Sequence, residues 1–162
     1  MTKFKGIVLI GAASLAACQG GGSTTTTNQS TATPEKAMPK NAEEVVAIFK
    51  AAKQPVEKVK IVTEADDDNH LMGRPNQYTS KAFFFDARHM QEAEFGGGEN
   101  TIEVFATPAD ATARREYIEG LTKGSPMLMQ YFIQNGAVLV RLDKVILPSE
   151  AKQYEAALKA AM

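Results

Sequence analysis

The stretch "MLMQYFIQNGAVLVRL", residues 127–142, constrains the fold more than any other part of the chain. Two runs rich in apolar and β-branched residues flank Asn135 and Gly136, a pair suited to the left-handed positions of a type I′ turn. The segment therefore predicts an antiparallel hairpin, which needs further strands or a helix to bury its apolar side. Three earlier segments supply strands: "VEKVKIVTE", "YTSKAFFFD", and "NTIEVFA", in which Ile102, Val104 and Ala106 share a face. In "YTSKAFFFD", strand alternation leaves Phe84 or its neighbours exposed unless a helix covers that face.

Three segments carry helical spacing. "NAEEVVAIFKAAK" opens with Asn41 as cap and Glu44 three residues on, a capping box, and Val45, Ile48, Phe49 and Ala52 follow on one face until Pro55 stops the helix. "TPADATARREYIEGLTK" has Thr107 as cap, Pro108 in the first helical position and Asp110 in the first turn, with an apolar stripe of Ala113, Tyr117, Ile118 and Leu121. "PSEAKQYEAALKAAM" reads as a helix capped by Ser149, with Ala151, Tyr154, Leu158 and Ala161 facing inward. The order α-β-β-β-α-β-β-α over residues 41–162 predicts a single globular α+β domain. We expect two layers, an about five-stranded, mostly antiparallel sheet with helices packed on one face.

Ahead of the domain the chain changes character. Residues 1–17 combine Lys3 and Lys5 with the apolar stretch "GIVLIGAASLAA", shorter than the roughly 20 residues needed to span a bilayer, which is the pattern of a secretion signal. "LAAC", residues 15–18, closely resembles the lipobox of bacterial lipoproteins on Leu15, Ala16, Ala17 and Cys18. The resemblance implies that a dedicated peptidase recognises Leu15, Ala16 and Ala17 and cuts before Cys18, and that acyl chains on Cys18 anchor the mature protein to a membrane. A thiol is nucleophilic enough to form the thioether, and two or three acyl chains hold far better than one. Residues 18–40 follow as a Gly-, Ser-, Thr- and Pro-rich tether with almost no large apolar residue. The expected location is the cell envelope. Gln19, where Gram-negative lipoproteins retained at the inner membrane usually carry aspartate, favours the outer membrane; in other hosts the outer face of the plasma membrane is expected.

A net charge of -1 leaves no basic footprint for nucleic acid, and the single cysteine excludes an intramolecular disulfide. His70 and His89 are the only histidines, and no G-x-S-x-G or H-E-x-x-H occurs, so no enzyme is expected. "EFGGGEN" lacks the lysine and hydroxyl of a phosphate-binding loop and reads as a loop between strands.

The most unusual stretch is "EADDDNHLMGRPNQYTSK", residues 64–81. Its ligand spacing does not fit a calcium loop, and no metal or other cofactor is expected. Asp66, Asp68 and His70 would converge on a divalent metal only if the loop folds back; otherwise they form a solvated acidic turn. Gly73 permits a tight turn, Pro75 stiffens it, and Arg74 can pair with Asp66, Asp68 or a ligand. Asp68, Asn69, Leu71, Gly73, Arg74, Pro75 and Tyr78 together resemble a stretch of uncharacterised small secreted bacterial proteins, a likeness that implies no activity.

The expectation is a monomeric, membrane-anchored lipoprotein whose domain binds an envelope protein or component without catalysis. The alternative is a small-ligand or metal-binding lipoprotein using the 66–78 loop, with Arg74 and Tyr78 as its polar surface. A concave pocket converging on Asp68, Arg74 and Tyr78 would favour the alternative; a flat apolar patch on the sheet would favour the first reading.

Overall fold

Residues 37–162 are described by the computed structural model. The chain runs α1 (Ala42–Ala51), β1 (Val56–Val62), β2 (Tyr78–Asp86), α2 (Met90–Glu94), β3 (Glu99–Phe105), α3 (Pro108–Thr122), β4 (Gln130–Asn135), β5 (Val138–Asp143) and α4 (Pro148–Ala161). It is an α+β fold around one five-stranded antiparallel sheet in the order β1-β2-β3-β5-β4. Lys3, Lys5, Leu15, Ala16, Ala17, Cys18, Gln19 and most of the tether lie outside the described residues. Among those described, no helix is long and apolar enough to cross a membrane.

Local chemistry explains most element boundaries. Asn41 caps α1, its side chain accepting from the Glu44 N–H at 2.9 Å, while the Glu44 carboxylate reaches the Lys40 N–H at 2.7 Å. Thr107 caps α3 by accepting from the Asp110 N–H at 3.2 Å, with Pro108 in the first turn. Two expected details shift. Helix α4 starts two residues early, with Leu147 at the cap and Pro148 in the first turn; the Glu150 carboxylate takes the Leu147 N–H at 2.9 Å, so Ser149 lies inside the helix. In the β4–β5 hairpin Asn135 pairs with Val138, which makes Gly136 and Ala137 the turn residues. Only Gly136 of the two has positive φ, 54°, the pattern of a turn with glycine at its first central position instead of an Asn-Gly type I′ turn.

The two faces of the sheet differ. Ala82, Phe84, Ile102, Val104, Val138 and Val140 turn toward α1 and α4 and build the main core. There the Phe49 and Tyr154 rings meet edge-on at 5.0 Å, and Phe84 packs against both. Such aromatic contacts add about 0.5–1.5 kcal/mol each beyond area burial. The expected packing on one face thus holds for α1 and α4, and it covers Phe84 completely. Helix α3 lies on the opposite face, where Ala111 joins Phe105, Leu139 and Tyr78 in a smaller apolar cluster.

A β-bulge decides how that second face is furnished. Tyr78 pairs with Phe105 but Ser80 pairs with Val104, so Thr79 is the extra residue and Tyr78 and Ser80 point to opposite faces. Tyr78 consequently sits with Phe105, ring edge to ring at 6.2 Å, on the side that carries Lys81, Glu103 and Arg141. Regular alternation would have put Tyr78 in the main core and left Asp67 without its hydroxyl partner.

Candidate functional site

The 67–77 loop is built around one buried carboxylate. Asp67 accepts the Leu71 and Met72 N–H groups at 2.9 and 3.1 Å, the Tyr78 hydroxyl at 2.8 Å and the Lys81 ammonium at 3.0 Å. Burial is the largest influence on this carboxyl and by itself would raise its pKa. The Leu71 N–H, the Tyr78 hydroxyl and Lys81 outweigh it and hold Asp67 well below the usual carboxylate range. Tyr78, buried and donating to Asp67, is pushed up to about 12. The Lys81 ammonium also stands 4.7 Å from the Phe83 ring centre and 5.2 Å from that of Tyr78.

Beside this group lies a second buried carboxylate between two arginines. Glu103, in the middle of β3, is fully buried; its Oε1 accepts from an Arg114 terminal nitrogen at 3.2 Å, and its Oε2 lies 3.6 Å from Arg141 Nε. Arg114 comes from α3 and also faces the Tyr78 and Tyr117 rings, while Arg141 on β5 donates to Gln130 at 3.1 Å. Burial pulls the Arg141 guanidinium below its ordinary pKa, and Glu103 opposes that shift. Among the described residues, Glu103 Oε2, Arg114 Nε and Arg141 Nε are buried without a hydrogen-bond partner. The cluster is net positive and incompletely satisfied, which is costly in a fold that had no use for it.

These groups floor a cleft of about 700 Å³ between α3 and the loop. Ala113, Tyr117, Ile118 and Leu121 form one wall, Leu71, Asn76 and Gln77 the other, and Arg114 and Arg141 the base. The wall on α3 is the stripe expected to face a core. Ile118 is buried, but Tyr117 and Leu121 remain 59% and 60% exposed because the sheet beneath is occupied by charge and the loop stands off. A smaller polar pocket of about 330 Å³ adjoins the cleft and shares Asn69 and Arg141 with it; Asp68, Glu99, Thr101 and Asp143 also line it.

The expected site residues are dispersed. Asp66 turns back to the Thr63 N–H and stands 3.9 Å from Lys60; His70 is exposed with a left-handed φ of 51°. Among the described residues no three His, Cys, Asp or Glu side chains are grouped to hold a metal ion. Asp68 lines the polar pocket, whereas Arg74 is exposed outside both cavities and makes no ion pair among the described residues. Tyr78, expected with Arg74 on the loop surface, is instead fully buried and supports the loop from below.

The sequence reading missed Asp67, Lys81, Glu103, Arg114 and Arg141. Three of these are mid-strand charges, and mid-strand charges alternating with apolar residues normally face water. A second missed cluster is a structural tie. Asp86 accepts from Arg88 and from the Tyr154 hydroxyl at 2.8 Å, and His89 Nε2 meets Glu150 at 2.7 Å, fastening the end of β2 to α4. None of these residues lines either cavity.

These groups give stability a predictable pH profile. Asp67, Asp86 and Glu150 are all held below their ordinary values: burial, which raises each, is outweighed by hydrogen bonds and cationic neighbours. Their contribution is present above the unfolded carboxyl range near about pH 4 and is lost as pH falls below it. Tyr78 works in the other direction: its contribution is complete below about pH 10 and is lost as pH rises toward about 12. Denaturant midpoints measured across pH should fall at both ends, and tyrosinate absorbance should show two groups ionising late, Tyr78 and Tyr154, the latter raised by burial and by donating to Asp86.

No protein-family model, curated protein or solved structure matches the chain.

Proposed function

We propose that the protein is a lipid-anchored component of the bacterial cell envelope whose α+β domain binds its target, without catalysis, in the cleft between α3 and the 67–77 loop. The observation that carries the binding reading is the uncovered stripe of Tyr117 and Leu121 standing over an arginine-floored cleft. Concave apolar walls with a few convergent polar groups are what small-ligand sites use. The lining side chains offer amides and fixed charges, groups that hold a ligand. The loop enters this reading through Asn69, Leu71, Asn76 and Gln77, in place of Asp66, His70 and Arg74.

The anchor rests on Lys3, Lys5, the short apolar stretch and the order Leu15, Ala16, Ala17, Cys18. Globomycin, which blocks the lipoprotein peptidase, is expected to leave an unprocessed, heavier precursor, and Cys18→Ser to abolish acylation and cleavage. A mature protein of unmodified mass, or normal processing of Cys18→Ser, would refute the anchor. Docking of an envelope protein has its own support in Met127, Leu128 and Met129, consecutive side chains 79%, 52% and 60% exposed.

A further inference from the structure

We infer that the cleft and the polar pocket together take a small zwitterion bearing an apolar side chain, an apolar amino acid or a di- or tripeptide. The inference rests on the cleft being the binding site and adds the chemistry of what enters it.

Three features of the surface meet at Arg141. On the cleft side, Arg114 and Arg141 are two guanidiniums against the single carboxylate of Glu103, an excess positive charge with buried Nε donors unsatisfied. A carboxylate is the complement of that excess, and arginine is the side chain suited to receive it through paired N–H donors. On the polar side the balance reverses. Three carboxylates, Asp68, Glu99 and Asp143, line the pocket against Lys81, which is neutralised by Asp67, and Arg141, which shares Glu103 with Arg114. The Glu99 carboxyl is raised by burial and by Asp68, in spite of Lys81, Lys60 and Arg141 nearby. An ammonium group would relieve that crowding.

The charges thus change sign across Arg141, the side chain that lines both cavities. An α-amino carboxylate carries its opposite charges on one carbon and suits such a junction. From the same junction Leu71, Tyr117, Ile118 and Leu121 lead away as an apolar wall, the place for a hydrophobic side chain or a following residue. An apolar acid without an ammonium would leave the acidic side unmet, and an amine without a carboxylate would leave the arginines unmet. Each loses one of the two complementary fields.

The test is calorimetric titration of the full lipidated protein in nanodiscs with five probes: L-leucine, leucyl-leucine, N-acetyl-L-leucine, L-leucinamide and the neutral isopentanol. Leucine or leucyl-leucine is expected to bind, and the acetylated and amidated forms to bind at least about 10-fold more weakly. The tighter of the two zwitterions tells an amino-acid site from a peptide site. Arg141→Gln is expected to cost about 10-fold or more, and Asp68→Asn, on the exposed loop where folding is not at stake, a several-fold loss. If isopentanol or the singly charged derivatives bind as well as the zwitterions, the inference falls while the cleft stands as a site. If no probe binds, both fall.

Discussion

Asp67→Ala is expected to cost the fold about 3–5 kcal/mol, the loss typical when one member of a buried ion pair is removed. The carboxylate is 1% exposed and satisfies two backbone N–H groups, the Tyr78 hydroxyl and the Lys81 ammonium, which is itself 2% exposed. Its removal strands a buried cation and frees the Leu71 and Met72 amides that define the loop. Denaturant unfolding should show the loss, and amide exchange should accelerate first in residues 68–77. Adding Lys81→Met to Asp67→Ala should recover part of the stability, because the stranded charge is gone, but leave the loop exchanging fast. If the single variant loses less than about 1 kcal/mol, the carboxylate is not the organiser described here.

Glu103→Ala is expected to have a comparable effect, about 3–5 kcal/mol, by leaving Arg114 and Arg141 facing each other without a buried counter-charge. The more informative result comes from replacing the whole cluster. Glu103→Leu combined with Arg114→Met and Arg141→Met should be about as stable as the parent, or more so, since well-packed apolar residues often match or better a buried ionic triad. Denaturant midpoints of the single and triple variants decide it. A triple variant that folds well and has lost its ligand would show that these charges serve recognition. Their placement is costly: Glu103 Oε2, Arg114 Nε and Arg141 Nε lack hydrogen-bond partners among the described residues.

The strand and helix order was legible because caps, prolines and periodicity acted locally; the exception is α2 between β2 and β3, five residues with no side-chain cap, which the expected order omits. Asn41, Thr107 and Pro108 sit where the sequence puts them, and β2 covers Tyr78–Asp86, the whole of "YTSKAFFFD". The turn of the hairpin slid by one residue because cross-strand pairing of Asn135 with Val138 outweighed the Asn-Gly preference. The site was hidden for a different reason. A bulge at Thr79 sends Tyr78 to the far face, and no local signal in "QYTSK" marks it. Lys81, Glu103 and Arg141 each alternate with core residues, so in single strands they look solvated. Only the strand order, which sets Lys81 across from Glu103 and Arg141 diagonal to it, shows one shared buried layer. The stripe of α3 is apolar as its spacing predicts, yet its outer half, Tyr117 and Leu121, finds no core to enter.

Methyl-resolved NMR of the full-length protein, titrated with L-leucine and then with leucyl-leucine, tests binding in this cleft most directly. Leu71 and Leu121 report from opposite walls, with Ile118 beside Leu121, while the exposed Ile61 and Leu147 lie outside both cavities. Saturable shifts confined to Leu71, Ile118 and Leu121 are the predicted result. Shifts centred on Leu128, on Ile61 or on Leu147, or none at any methyl, would contradict it.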